Sequence, residues 1–181
     1  MRASRDIAAA LIASATTLSA LGCSASHADP IATNATVLRV ADGDTVTVAS
    51  DLRGRLKVRI IGLDTPETVR ENWSIGCHGP EASAYAKARL SGQRVQLVTD
   101  PTQDITDRFG RTLAAVILSD GTNYAVEAVR LGHGKAYVYG HKPSKWAAEI
   151  QDAEDQAKSS GSGLWGAPCF GVVASKELGK K

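Results

Sequence analysis

The chain has 181 residues, of which 43% are hydrophobic, and a formal net charge of +2. This length gives room for one ordinary domain with a single packed core, and we therefore look for one function. Because the net charge is close to zero, no global positive field attracts an anionic polymer. Any such ligand has to be held by a local cluster of cations.

The first 28 residues are predicted to be a secretory leader. Arg2 and Arg5 precede an apolar stretch over residues 7–18, which is too short to span a membrane and is followed by small and polar residues. Ser26-His27-Ala28 places small residues at both positions that a signal peptidase inspects, so cleavage is expected before Asp29. Since the charges of the leader sum to +1, the mature chain keeps a net charge of about +1.

Lipidation is a competing interpretation of the same segment. Ala20-Leu21-Gly22-Cys23 is similar to a bacterial lipoprotein box and would make Cys23 the lipidated first residue. The match is imperfect, because leucine usually stands at the position of Ala20. We expect a secreted, extracellular protein, or a cell-envelope lipoprotein that contacts a membrane only if Cys23 is lipidated.

Short β-rich runs separated by turns begin after the leader. The predicted strands are residues 36–40, 45–48, 56–63, 94–99 and 113–119. The first two are joined by a turn at Asp42-Gly43-Asp44, and the third ends where Pro66 stops any ladder. Three strands in direct succession predict a curled meander.

Three helices are predicted around these strands. Gly79-Pro80-Glu81 opens a helix over residues 82–90, with proline in the first turn and an acid at the positive helix end. Asn123 caps a second helix that stops at Gly132, and Ser144 caps a third. The apolar stripe of the third helix is expected to be core and consists of Trp146, Ile150, Ala153 and Ala157.

These elements predict an α+β, mainly β fold: a five-stranded OB-type barrel with about three peripheral helices over residues 36–168. Such a barrel leaves one face free for a ligand. The tail over residues 169–181 shows no periodicity and is expected to be disordered beyond Cys169.

Three carboxylates follow neighbouring β segments. Closure of a small barrel can bring Asp44, Asp64 and Glu67 together, and hard oxygen ligands of this kind suit calcium better than magnesium where the geometry is irregular. Taken singly, each acid has an ordinary role as a turn, strand-end or surface residue. Arg59, between Val58 and Ile60, is expensive to bury without a partner and therefore needs an anion.

Four blocks of the chain resemble the staphylococcal nuclease family in order and spacing. They are Asp42-Gly43-Asp44-Thr45, the run from Val58 to Thr68, Gly79-Pro80-Glu81-Ala82-Ser83-Ala84, and Asp107-Arg108-Phe109-Gly110-Arg111. The resemblance extends from about Thr36 to Trp165. It implies an OB-barrel nuclease.

By this resemblance, the metal site binds calcium through the carboxylates of Asp44 and Asp64 and the main-chain carbonyl of Thr65. Asp42 would orient these ligands without touching the metal. This donor set contains only oxygen, as calcium prefers.

The resemblance also assigns catalytic roles. Glu67 would orient or deprotonate the attacking water, while Arg59 and Arg111 would bind the phosphate and stabilise charge on its oxygens. The planar guanidinium groups suit bidentate contact with phosphate.

On the substrate side, Arg108 is expected to contact the nucleic acid, and Tyr137 and Tyr139 resemble the family's base-side tyrosines. An aromatic face accepts any base by stacking, so low sequence specificity is expected. Ordinary half-buried packing is the alternative for both tyrosines. Phe109 departs from the family, which usually has a tyrosine there whose hydroxyl reaches a terminal phosphate, and that contact is expected to be missing.

Two cysteines remain once Cys23 is assigned to the leader or to lipidation. Export would place Cys77 and Cys169 in an oxidising compartment, where distant thiols commonly form a disulfide. The alternative is two free buried thiols. No Cys/His spacing indicates zinc.

The functional expectation is an exported, calcium-dependent phosphodiester hydrolase, a thermonuclease-like endo- or exonuclease that cuts DNA and RNA. We expect a monomer with no obligate protein partner. The alternative is a barrel that binds nucleic acid without cutting it. Retention of Asp44, Arg59, Asp64, Glu67 and Arg111 together favours catalysis, because binding alone does not require an acid beside phosphate.

Overall fold

The computed structural model describes residues 31–68 and 72–178. The predicted leader, its cleavage site and Cys23 lie outside the described residues. In the described part of the chain, no helix is long and apolar enough to cross a membrane.

The secondary structure follows the predicted order. In chain order, the strands are β1 (Ala35–Val40), β2 (Thr45–Ser50), β3 (Gly54–Ile60), β4 (Leu63–Asp64), β5 (Arg94–Val98), β6 (Thr112–Leu118) and β7 (Lys135–Ala136). The α-helices of the described residues are α1 (Gly79–Leu90), α2 (Tyr124–Arg130) and α3 (Ala147–Ser160).

Five of the strands close into a barrel in the order β1-β2-β3-β6-β5. The meander β1-β2-β3 is antiparallel, β3 pairs with β6 in parallel, and β5 closes the barrel against β1. This confirms the predicted five-stranded barrel with three helices. Inward-pointing residues alternate along the strands, as with Val46 and Val48 on β2 and Val58 and Ile60 on β3.

The third predicted strand is divided in two. The chain turns after Ile60, and Leu63 and Asp64 form a separate two-stranded sheet with β7. Gly62 adopts a φ of 84°, and a Cβ at this position would lie 2.2 Å from the Ile150 side chain of α3. Glycine therefore permits both the turn and the close packing of α3. The turn removes Asp64 from the barrel and places it at the barrel end.

Two of the three helix starts agree with the sequence. Pro80 lies in the first turn of α1, and the Asn123 side chain accepts a hydrogen bond from Ala125 N at 3.0 Å. The predicted cap of α3 is wrong. This helix begins at Ala147 with Trp146 at the cap and no side-chain cap bond, and Ser144 instead contributes its carbonyl to Ala147 N at 2.9 Å.

The C-terminal tail also differs from the prediction, because residues 170–178 have defined contacts. Ser74 N donates to Lys176 O at 2.8 Å, Leu178 N donates to Asn72 O at 2.7 Å, and Trp73 forms an antiparallel bridge with Glu177. These backbone hydrogen bonds join the tail to a loop that is distant in sequence, so the local residue pattern could not predict them.

The predicted disulfide is present. Cys77 and Cys169 are joined across 92 residues, with their Cα atoms 5.7 Å apart. The bond connects the beginning of the tail to the loop that precedes α1. Closing a loop of this length stabilises the folded state by roughly 4 to 5 kcal/mol in the chain-entropy description.

We predict that the double variant Cys77→Ser, Cys169→Ser melts about 10 °C or more below the wild type, because the unfolded chain regains the entropy of an open loop. Differential scanning calorimetry measures the difference. As a control, a reductant should lower the melting temperature of the wild type and leave that of the variant unchanged. Two alkylatable thiols in protein prepared under oxidising conditions would contradict the prediction.

Candidate active site

The turn between β1 and β2 is fixed from two sides. A Cβ at Gly43 would lie 2.6 Å from the Thr65 side chain, so the turn packs directly on the residue after β4. The buried Tyr124 hydroxyl donates to Gly43 O at 2.9 Å. Both contacts hold the backbone on which Asp42 and Asp44 are mounted.

Asp44 is buried, and both oxygens of its carboxylate accept hydrogen bonds. Thr45 Oγ1 donates to Oδ1 at 2.8 Å, and Thr65 donates to Oδ2 through its main-chain N at 3.0 Å and its hydroxyl at 3.1 Å. Hydrogen bonds to the charged form offset the cost of burying a carboxylate. Asp44 therefore joins β2 to the segment after β4.

Arg59 connects the two predicted metal carboxylates. Its Nη1 lies 3.3 Å from Asp44 Oδ2 and its Nη2 lies 3.1 Å from Asp64 Oδ1, while Nη1 also donates to the carbonyl of Leu63. Only 13% of the Arg59 side chain is exposed. One guanidinium thus brings together residues from the β1–β2 turn, β3 and β4.

The charges around Asp64 match the needs of a cation. Partial enclosure raises the pKa of Asp64, Arg59 opposes this shift, and the negative charges of Asp44 and Glu67 add to it. Burial, together with the neighbouring charge of Asp44, raises the pKa of Asp42 to about 6. Crowded carboxylates of this kind are stabilised by a bound divalent cation.

The donor set is small. The described residues contain no group of three or more His, Cys, Asp or Glu side chains that could hold a metal ion. Two carboxylates and the Thr65 carbonyl would therefore have to be completed by water or substrate oxygens, which is acceptable for calcium with its six to eight oxygen ligands. The oxygen chemistry of the site fits this ion.

Glu67 lies in the loop between β4 and α1. Thr68 N donates to Glu67 Oε1 at 2.9 Å, and Gly76 N donates to Glu67 O at 2.8 Å. Gly76 is in turn closely packed, because a Cβ there would lie 2.8 Å from the tail carbonyl of Val173 and 2.9 Å from Pro66. The tail therefore supports the backbone of the predicted water-orienting acid.

Arg111 is held by Asp107 and Thr45, to which the sequence analysis assigned no role. Its Nε donates to Asp107 Oδ2 at 2.7 Å and its Nη1 donates to Thr45 Oγ1 at 3.2 Å. Burial would raise the pKa of Asp107, but hydrogen bonds from the backbone and side chain of Arg111 lower it below its usual range. Thr45 thus links Arg111 to Asp44. The only feature of the sequence that indicated the contact between Asp107 and Arg111 was their position in the same short block.

A cleft of about 540 Å³ collects most of the predicted site residues. Its lining includes Arg59, Asp64, Arg108, Arg111, Tyr137 and Tyr139. Asp44, Thr65 and Glu67 do not line it, although Asp44 reaches it through Arg59. The Tyr137 ring centroid lies 5.7 Å from Arg59 Cζ, so an aromatic face lies next to the guanidinium that is predicted to bind phosphate.

Comparison with known proteins agrees with this geometry. A model of the family described as staphylococcal nuclease homologue matches residues 57–167. The thermonuclease of Staphylococcus hyicus is 37% identical over 71% of this chain and 73% of its own length, and that of Staphylococcus intermedius is 36% identical over 71% and 74%. The chain belongs to the staphylococcal nuclease family.

This membership indicates a nuclease that hydrolyses phosphodiester bonds. A further relative, endonuclease YhcR of Bacillus subtilis, is 30% identical over 70% of this chain but only 11% of its own length. The domain therefore also occurs as a small part of a much larger protein.

Phe109 is a local difference from the family pattern. Its ring is 67% exposed, with Arg108 Cζ 4.7 Å and Arg111 Cζ 5.3 Å from the centroid. The ring has no hydroxyl to donate to a phosphate. It can still limit the movement of both arginines by cation–π contact.

A histidine pair joins the start of α1 to the segment after α2, and no sequence pattern predicted it. His78 Nε2 and His133 Nδ1 are 3.1 Å apart, and the His133 ring stacks on Tyr85 at 4.2 Å between centroids. Burial, together with the neighbouring His78, lowers the pKa of His133 to about 4. These residues meet from α1 and the segment after α2, so spacing along the chain could not reveal them.

We predict that Asp107→Asn lowers kcat by about tenfold or more, because Arg111 loses the anion that orients its guanidinium. Steady-state kinetics on a single-stranded substrate measures the change. Asp104→Asn is the matched control, because Asp104 is an exposed acid that pairs only with Lys142 in the described structure and is expected to keep wild-type kinetics. Equal kinetics for Asp107→Asn and Asp104→Asn would remove the positioning role of Asp107.

Proposed function

We propose that this protein is an exported, calcium-dependent nuclease that hydrolyses DNA and RNA with little sequence preference. The observation that carries the proposal is the convergence of Asp44 and Asp64 on Arg59, beside a second arginine in one cleft. Membership of the nuclease family supports the reaction class.

The residues would act on a phosphodiester as follows. Arg59 and Arg111 bind the nonbridging oxygens and stabilise the negative charge that grows in the transition state. Glu67 orients a water and accepts its proton while the water oxygen bonds to phosphorus. The bond from phosphorus to the leaving oxygen breaks, and that oxygen takes a proton from solvent.

Calcium would be held by Asp44, Asp64 and the Thr65 carbonyl. When bound, it would supply positive charge to the phosphate and to the attacking water. Since the same two carboxylates contact Arg59, neutralising them also frees the guanidinium to turn toward a phosphate.

Low sequence preference is supported by the substrate side of the cleft. Tyr137 and Tyr139 present aromatic surface, which stacks on any base. Tyr137 is 43% exposed, which argues against half-buried packing as its only role, whereas Tyr139 is half-buried.

We predict that the purified mature chain cleaves both DNA and RNA in millimolar calcium and loses this activity in chelator, with magnesium a poor substitute. Release of acid-soluble nucleotides from both polymers measures the activity. Glu67→Gln is the control against a contaminating nuclease and should lose about 100-fold or more of the calcium-dependent rate. Full activity in chelator would remove the metal assignment, and near-native turnover of Glu67→Gln would remove the role of the glutamate.

Export rests on the leader pattern in residues 1–28 and is consistent with the disulfide, which persists in oxidising compartments. We predict that the chain expressed with its own leader in a bacterial host is recovered from the periplasm or medium, beginning at Asp29. N-terminal sequencing and intact mass distinguish this product from a chain that begins at a lipidated Cys23. Recovery of the uncleaved chain in the cytosol would contradict export.

A further inference from the structure

Cations occupy every second position from Arg53 to Arg59, in the second half of the β2–β3 hairpin. The sequence from Arg53 to Arg59 reads Arg53-Gly54-Arg55-Leu56-Lys57-Val58-Arg59. Asp51 is the only acid among residues 45–60, and its carboxylate is paired with Arg94 at 2.7 Å. The hairpin therefore has a concentrated positive charge in a chain whose net charge is only +2.

Strand alternation places three of these cations on one face. Val58 and Ile60 are buried in the barrel, so Arg55, Lys57 and Arg59 point to the outer face of β3. Arg59 lines the cleft. Residues on the same face are about 6.6 Å apart along a strand, which puts Arg55 about 13 Å from Arg59.

A fourth cation lies beside this row. Lys57 pairs in register with Thr47 of β2, and Thr47 pairs with Arg39 of β1. The neighbouring pair Val40 and Val46 is buried, so Arg39 is on the outer face as well. Only the small, uncharged Thr47 separates Arg39 from Lys57. We call Arg39, Arg55 and Lys57 the outer cation row.

The outer cation row differs from the cleft arginines because its side chains form no ion pairs with carboxylates in the described part of the chain. Arg59 and Arg111 are both engaged by aspartates. In the part of the chain that the structure describes, Arg39, Arg55 and Lys57 are exposed and have no ion pair with any carboxylate. They are therefore available to an external anion without breaking an internal pair.

We propose that the outer cation row is an extended binding site for the phosphates of a single-stranded polynucleotide whose scissile phosphate lies at Arg59. This inference rests on the proposed nuclease function and extends it to substrate length. The spacing of side chains along β3 is comparable to that of consecutive phosphates in an extended single strand. Arg55 and Lys57 follow one strand toward Arg59, with Arg39 to one side, and such a narrow path can track one backbone, which favours a single strand over a duplex.

The row should act through counterion release. Each phosphate neutralised on a single strand contributes about 0.7 to the slope of log K against log salt. A dinucleotide at Arg59 does not reach the far end of the row, whereas a longer strand does. Affinity should therefore rise with substrate length until the strand covers Arg55.

The test compares two charge-matched double variants in an inactive Glu67→Gln background, so that substrate is bound and not cut. Arg55→Gln, Lys57→Gln removes two cations of the row, and Lys87→Gln, Arg130→Gln removes one lysine and one arginine that are exposed on α1 and α2. Fluorescence anisotropy measures the affinity for labelled oligothymidylates of two, four and eight nucleotides at several salt concentrations. Circular dichroism checks the fold, and Lys57→Gln alone is used if the double variant does not fold.

We expect the row variant to bind the longest oligonucleotide on the order of tenfold more weakly and to lose about 1.4 from the salt slope, while the control variant keeps the length dependence. Unchanged length dependence in the row variant would show that the row is only a solvated barrel face and would overturn the proposal. Equal loss at all lengths would also overturn it, because the defect would then be in the cleft itself.

Two further readouts distinguish a polynucleotide site from a membrane-facing surface and from a cleft that does not cut. In the first, vesicles of anionic phospholipid replace the oligonucleotide, and their binding to the wild type and to the row variant is compared. If the row variant loses vesicle binding but keeps the length dependence of oligonucleotide binding, the row is a membrane-facing surface and the proposal is wrong. Cleavage of long denatured DNA by the active wild type reports the nuclease function alone. Its failure would contradict the proposed function, whereas failure of the length dependence contradicts only the outer cation row.

Discussion

The guanidinium of Arg59 is the contact on which the geometry of the site depends. It projects from the outer face of the barrel but contacts the β1–β2 turn and β4, and only 13% of the side chain is exposed. An enclosed charge is tolerated only when it is paired. Asp44 and Asp64 supply the pairing, so three separate stretches of chain are held in one arrangement by one side chain.

Further hydrogen bonds hold the residues around Arg59 in place. Tyr124 is buried at the start of α2 and holds Gly43 O, while Asp107 holds Arg111, and Thr45 joins Arg111 to Asp44. The two arginines are therefore fixed before a phosphate arrives, which avoids an ordering cost during binding. In the proposed mechanism, these ion pairs have to loosen before the arginines can contact phosphate. Positive charge added near Asp44 and Asp64 would weaken the ion pairs of Arg59.

The sequence predicted the parts of this structure that depend on local pattern. Alternation of Val58 and Ile60 marked β3, Asn123 marked the start of α2, and the block from Val58 to Thr68 carried the family resemblance. It did not predict contacts between distant segments. The sequence pattern assigned Gly62 to a strand, because the pattern contains no information about the packing of α3 against this residue. The tail pairs with the loop near Ser74 through backbone hydrogen bonds, which a pattern of side chains does not predict. Asp107 belongs to one of the four blocks that resemble the family, but its role depends on the fold, which brings the Arg111 side chain into contact with it.

The pairing of the cleft arginines also affects how a substrate first reaches the protein. A guanidinium that faces an aspartate presents little net charge at a distance, and beyond about 8 Å physiological salt screens what remains. With a net charge of only +2, the chain cannot attract a polyanion through its overall field. Unpaired surface cations are then the main source of local positive potential. Those on β3 continue into the cleft, so an encounter there leaves a flexible strand within about 13 Å of Arg59, the residue proposed to bind the scissile phosphate.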